Sequence, residues 1–263
     1  MGTPVCNTGM TWVGFRPSDD QCDMHFHVPG NMFAVVALGF IETIANDVYH
    51  DAELAQAASR LATEIDDAIH QHAVVERAGV RIYAYEVNGC GQHNLMDDAN
   101  VPSLLSIPYL GYKSRHDPEG TIYKNTRNYI LSSNNPWYFS HGSFRGIGTA
   151  ARERESEAAV LAAAGRLTRR ASHVARTGSP HTGPGRVWPM SLIMQALTSD
   201  SESEIVDMIE MLKASDAGSN FMHESFQVSN PAQFTRHWFA WANSLFSELI
   251  IKHKDLIKAR KLL

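Results

Sequence analysis

Cysteine is scarce in this 263-residue chain: Cys6, Cys22 and Cys90 stand far apart, with no CxxC pair among them. Such spacing offers neither a disulfide framework nor a zinc knuckle, and three plain buried thiols are expected. Positive charge is not in excess, since the net charge is −5 and the pI is near 6.2. That balance argues against nucleic acid as a partner, because nucleic acid demands a basic face. No run of about 18 consecutive apolar residues occurs, and the opening MGTPVCNTGMTW lacks the basic and apolar regions of a signal peptide, so no membrane segment is expected. No HExxH or similarly spaced motif gathers the thirteen histidines. Metal-dependent hydrolysis through Asp97 and Asp98 is therefore the weakest of the enzymatic readings. A Gly/Ser or Pro linker is also missing, and at 44% hydrophobic and 19% charged the chain suits one large globular domain.

Helix signals dominate what is present. From Pro29 onward, Met32, Phe33, Val35, Val36, Leu38, Phe40, Ile41 and Ile44 nearly encircle the helix axis, which predicts a helix buried on most sides. A second helix is expected over residues 52–72, with Leu54, Ala58, Leu61, Ile65 and Ile69 on one stripe. Residues 80–87, VRIYAYEV, read as one short strand of a hairpin between Gly79 and Asn88-Gly89. Further helices are expected from Pro102, over 121–131, through Leu192 to Leu197, over 202–214 and over the aromatic stretch 234–249. Apolar helices thus alternate with amphipathic ones, as in a barrel of helical hairpins. Trp137, Tyr138 and Phe139 form an aromatic loop that suits the core better than a ligand platform.

Polar islands punctuate these helices. In Arg16-Pro17-Ser18-Asp19-Asp20, Pro17 fixes its own φ and makes Arg16 extended, so a loop gathers two carboxylates and a guanidinium. His25, His27 and Asn31 follow within a few turns of chain, which is more polar chemistry than a helix cap requires. Asp97, Asp98 and Asn100 precede Pro102, where carboxylates also serve as caps. Glu224 stands between Phe221 and Phe226, and a carboxyl beside aromatic surface has its pKa raised by desolvation, which suits proton transfer. Residues 149–178 differ from their surroundings: rich in Ala and Arg and without aromatics, they can form a solvated helix but bury little.

The runs GFRPSDD, NMFAVVALGF, IYAYEVNG, LMDDANVPSLLSIPYLGY, IYKNTRNYILS, GIG, SPHTGPG, VWPMSLIMQALTS, FMHESF and FTRHWFAWANSLFSELI closely resemble the exo-α-1,6-mannosidases of glycoside hydrolase family 125. The resemblance covers residues 8–251 apart from 149–178. It implies a mainly α fold, an (α/α)6 barrel, with a small β-hairpin as decoration. It also implies a metal-independent, cofactor-free inverting mechanism that removes terminal α-1,6-linked mannose from a mannose-containing oligosaccharide or glycan.

By the same resemblance the general acid is a carboxylate of the SDD run, Asp20 in preference to Asp19, and the general base is Glu224. Arg16, Asp97, Asp98, Asn100, His181 and His223 match positions that bind or position sugar hydroxyls. Family members carry a long stretch before RPSDD, so the barrel in residues 1–263 is expected to be incomplete, lacking its N-terminal helices. They also join GIG directly to SPHT, so 149–178 is expected to lie outside the fold. A partial barrel exposes apolar faces and loses sugar contacts, so an inactive fragment with at most carbohydrate binding competes with the active enzyme.

Overall fold

Asp51 opens the longest helix by accepting a hydrogen bond from Leu54 N at 3.0 Å, and the apolar stripe that follows carries it from Ala52 to Ala73. The computed structural model that contains it describes residues 2–148, 182 and 185–262. The expectation for 149–178, and the position of His181, therefore lie outside the described residues. The helices are α1 (Val28–Ile44), α2 (Ala52–Ala73), α3 (Ile107–Leu110), α4 (Thr121–Ile130), α5 (Pro189–Leu197), α6 (Glu202–Ala214), α7 (Ala240–Lys252) and α8 (Lys254–Arg260). A π-helical turn, Ala45–Tyr49, extends α1. Helices α1 and α2 pack as one pair and α5 and α6 as another. This mainly helical arrangement is compatible with an α/α barrel.

Short strands join the helices. Strands β2 (Val74–Arg77) and β3 (Val80–Tyr83) form a hairpin whose two-residue loop, Ala78-Gly79, has φ of 50° and 78°, the left-handed pair that a tight hairpin turn requires. The expected single strand over 80–87 is in fact two: Ala84 and Tyr85 turn the chain, and β4 (Glu86–Val87) joins β1 (Phe26–His27) and β5 (His93–Asn94) in a different sheet. A third sheet has the order β10 (Asn230–Thr235), β9 (Ser225–Gln227), β8 (Arg186–Val187). Residues 138–141 and 144–147 pair as β6 and β7, so Tyr138 and Phe139 of the aromatic loop lie in a strand, and Tyr138 packs on the core together with Trp137 from the turn before it. The helix expected from Pro102 shrinks to α3, because residues 102–106 form turns that Asp97 caps. Phe234 lies in β10, and the aromatic helix begins only at Ala240, since Glu224 N donates to Thr235 O and fixes the upstream residues as a strand.

Two clusters form the core. One gathers Met32, Ile65, Ile69, Tyr85, Leu104 and Ile130, and the other Leu192, Ile193, Met208, Leu212, Phe226 and Leu249. Helix α5 is buried along its whole length, as its sequence predicts. Helix α1 corrects the expectation made for it. Only Val28, Pro29, Asn31 and Met32 are buried, while Phe33, Phe40, Ile41, Ile44, Val48 and Tyr49 are exposed, because α2 covers just one side. The segment Val28–Tyr49 is also long and apolar enough by composition to cross a membrane, and only 28% of its most apolar stretch is buried. A count of consecutive apolar residues misses it, since Gly30, Asn31, Gly39 and Glu42 interrupt the run without making it polar. Cys6 and Cys90 are not thiols but a disulfide, made possible because Cys6 N bonds to Asn88 O and brings the N-terminal segment beside the β4–β5 turn; Cys22 is a buried thiol.

Candidate active site

The RPSDD loop is closed by its own backbone. Arg16 N donates to Asp20 O at 2.7 Å, Asp19 N donates to Arg16 O at 3.0 Å, and Cys22 N returns to Gly14 O at 3.0 Å. Asp19 adopts φ of 64°, a left-handed conformation that Asp tolerates better than most residues. The turn directs Asp19 to the surface and leaves Asp20 only 5% exposed. Ser18 Oγ donates to Asp20 Oδ2 at 3.1 Å. Burial, reinforced by the nearby charge of Asp98, raises the Asp20 carboxyl to about 7.

Arg16 anchors the loop from beneath. Its Nε and Nη2 meet Glu86 Oε1 and Oε2 at 2.5 and 2.9 Å, a fork-to-fork pair with both side chains fully buried, and Nη2 also reaches Asp23 Oδ2 at 3.2 Å. Burial works against the Arg16 charge, but Glu86 overcomes it and holds the guanidinium protonated. Tyr85 lies beneath the same guanidinium, 5.7 Å from ring centroid to Cζ. His27 and Asn31 serve the start of α1 rather than the carboxylates. His27 Nδ1 accepts from Gly30 N, a bond that needs a neutral ring, and burial lowers His27 to about 4. Asn31 binds Thr11 N and O through its side-chain amide.

The second polar island is mostly self-contained. Asp97 accepts from Leu104 N at 2.8 Å and Leu105 N at 2.9 Å, so its role in the structure is to cap that turn. Asp98 Oδ1 accepts from both Asn100 N and Asn100 Nδ2 at 2.9 Å, while Oδ2 is buried without a partner. Burial raises Asp98 as well. Asn100, oriented by Asp98, lines the cleft described next.

That cleft, about 390 Å³, is lined by Pro17, Ser18, Asp19, Asn100, Trp188, Glu224, Arg236, Trp238, Phe239, Ala240 and Trp241. Glu224 immediately precedes β9, where the β9–β10 ladder sets its backbone, and it is 4% exposed. Arg236 Nε stands 3.0 Å from Glu224 Oε1. The setting is thus an ion pair in an aromatic wall, not the purely apolar pocket read from FMHESF. His223 points away from the cleft into a cage, stacked on Phe234 at 3.7 Å, with Nδ1 against His237 O at 2.7 Å and Nε2 against Asp216 O at 3.0 Å. Among the described residues, no group of three His, Cys, Asp or Glu side chains is placed to hold a metal.

Of the residues singled out by sequence, the structure brings Asp19, Asn100 and Glu224 to one cleft and sets Asp20 directly behind its Ser18 wall. Arg16, Asp97, Asp98 and His223 support the surrounding backbone. Sequence reasoning missed Glu86, Arg236, Trp238 and Trp241 as parts of the site. The signal for Arg236 was its place in the FTRHWF run, where helical periodicity concealed a turn with φ of 43°.

Comparison with known proteins gives this geometry a family. The model of the family described as metal-independent alpha-mannosidase (GH125) matches residues 1–164 and 155–251. The chain is 42% identical over 262 residues to the meiotically up-regulated gene 157 protein of Schizosaccharomyces pombe, covering 98% of this chain and 44% of that protein. A Streptococcus pneumoniae metal-independent alpha mannosidase, solved as a non-productive substrate complex with alpha-1,6-mannobiose, superposes with a TM-score of 0.80 at 37% identity, over 97% of this chain and 53% of that one. The chain therefore spans about half the length of these relatives. It belongs to glycoside hydrolase family 125, the metal-independent α-mannosidases.

Proposed function

We propose that this chain carries the catalytic centre of an exo-acting α-1,6-mannosidase that hydrolyses terminal α-1,6-linked mannose with inversion. Asp20 is the general acid and Glu224 the general base. Inversion needs an acid that gives its proton to the glycosidic oxygen and a base that takes one from water on the other face of the ring. The water oxygen bonds to the anomeric carbon as the bond to the leaving oxygen breaks, and β-mannose results. The observation that carries this assignment is the raised Asp20 carboxyl, protonated up to about pH 7, beside a cleft lined by Glu224. Arg236 engages Glu224 Oε1, leaving Oε2 to orient water. Ser18, Asp19 and Asn100 are placed to meet sugar hydroxyls, and the complex of the pneumococcal relative with α-1,6-mannobiose favours that linkage. His181 is retained as a sugar-positioning residue by resemblance alone. Residues 1–263 are read as one partial catalytic barrel with 149–178 outside it.

Asp19 is the alternative acid, since it lines the cleft directly. Leaving-group chemistry separates the two. A dinitrophenyl or fluoride mannoside departs with little protonation, so Asp20→Asn should lose far more rate on α-1,6-mannobiose than on the activated substrate. If Asp19→Asn has that signature and Asp20→Asn does not, the acid moves by one residue.

A second reading rests on the uncovered face of α1 and on the half-length match. Here the chain is a fragment that retains carbohydrate binding without turnover. Mannobiose binding with no release of mannose would favour it.

A further inference from the structure

The segment before the RPSDD loop is held by few contacts. Residues 2–13 form neither helix nor strand, and Met10 is the one residue among them that joins a core cluster. A segment of this kind keeps its place only where it is tied down. Its ties lead to the acid. Thr3 N donates to Asp23 O at 2.8 Å; Asp23 donates its own N to Glu86 Oε2 at 3.2 Å and pairs through Oδ2 with Arg16, whose N closes the turn onto Asp20 O. Further along, Cys6 N donates to Asn88 O at 2.9 Å, and Asn88 Nδ2 donates to Pro4 O at 3.2 Å. A side chain at Gly89 would meet Cys6 O at 2.7 Å, so the turn after β4 is shaped to receive this segment.

The Cys6–Cys90 disulfide closes that contact covalently, across 84 positions of sequence. It joins the segment leading into the acid loop to the turn that follows Glu86, the partner of Arg16. Both cysteines are exposed, so a thiolate in solution can reach the bond, whereas Cys22 inside the loop is fully buried. We propose that this disulfide is a redox-sensitive clamp: intact, it positions the loop that carries Asp20, and a dithiol reductant releases that loop while the helices stay folded. In that step one reductant thiolate bonds to a cysteine sulfur and the other cysteine leaves as a thiolate. The second reductant thiol then closes its own disulfide and frees the first cysteine. Two electrons pass from the dithiol to the chain, and the two thiol protons end on Cys6 and Cys90. The consequence for catalysis rests on the mannosidase reading above, and the hold on the loop does not.

The test uses the full chain with Cys6→Ser and Cys90→Ser together, beside the disulfide-intact parent. Cys22 is then the variant's one thiol and reports on the loop from within, since burial pushes that thiol up and keeps it from the reactive thiolate form. N-ethylmaleimide should modify Cys22 at least ~10-fold faster in the variant than in the parent, because local opening exposes it. Dithiothreitol treatment of the parent should give the same gain, read at Cys22 by peptide mass. Turnover of α-1,6-mannobiose should fall roughly 10- to 100-fold in the variant, the scale of a misplaced catalytic group. The fall should be smaller on a fluoride mannoside, whose departure needs little protonation. Far-ultraviolet dichroism is expected to keep its helical signal. An unchanged Cys22 rate, loss of that signal with the disulfide, or equal losses on the two substrates would overturn the clamp. If neither form turns over mannobiose while Cys22 becomes reactive, the mannosidase reading falls and the hold on the loop stands. If the parent is active and Cys22 stays protected in the variant, only the clamp falls.

Discussion

Asp20 shows how a single carboxyl links stability to chemistry. Its ordinary value is 3.8, and burial with the neighbouring Asp98 charge raises it to about 7 in the folded chain. Between these two values the unfolded chain has released the proton and the folded chain keeps it. Stability from this group therefore falls as pH rises from about 4 to about 7 and is constant beyond. Asp20→Asn removes the titration. Its melting temperature relative to the parent should rise from about pH 4 to about pH 7 and level off above that, and a difference independent of pH would contradict the assignment. The same shift places an alkaline limb near pH 7 on any activity that needs the protonated acid. Glu224, by contrast, was found in sequence by its aromatic neighbours, and its true partner, Arg236, was not. A cation brought 3.0 Å away by a strand turn has no periodicity that a sequence can display.

At the scale of elements, local signals were legible and long-range pairings were not. The second helix was expected over 52–72 and ends at Ala73, and 202–214 appears unchanged as α6, because a cap and an apolar stripe define each. The stretch 234–249 was misread at its start. Aromatic residues satisfy a helical pattern and a strand pattern equally, and the choice was made by pairing with β9, an element whose own partner β8 lies about forty residues upstream. The RPSDD loop is the clearest case of remote support: its conformation depends on β4, through Arg16 and Glu86, seventy positions apart. Removing one member of a buried ion pair leaves the other charge unpaired, at roughly 3–5 kcal/mol. Glu86→Ala should therefore lower unfolding free energy by about that amount in a urea titration. A loss below about 1 kcal/mol, the range of exposed ion pairs, would show that the pair does not anchor the loop.

For the whole molecule, the informative surface is α1. Phe40 is 63% exposed, and with Phe33, Ile41, Ile44 and Val48 it makes an apolar face that no described residue covers. Monomers rarely tolerate a contiguous face of this kind, so the chain is expected to self-associate in dilute buffer. Sedimentation should show species larger than a monomer, and Phe40→Glu combined with Ile44→Lys should shift them toward monomer. A monodisperse parent would count against this. The sequence showed how apolar α1 is, but exposure depends on what packs against it, and composition carries no record of that.

The stereochemistry of the first product tests the Asp20–Glu224 pair most directly. The full chain, treated with a chelator, is mixed with α-1,6-mannobiose, and the anomeric protons are followed by NMR before mutarotation equalises them. An inverting pair of Asp20 and Glu224 predicts that the non-reducing mannose is released first as the β-anomer, with Glu224→Gln slowing its release roughly 10²–10⁴-fold. Initial release of the α-anomer would contradict the account, since retention needs a nucleophilic carboxylate about 5–5.5 Å from the acid in place of a base acting through water. No release at all from a chain that binds the disaccharide would contradict the proposal that it carries the catalytic centre and favour the binding fragment.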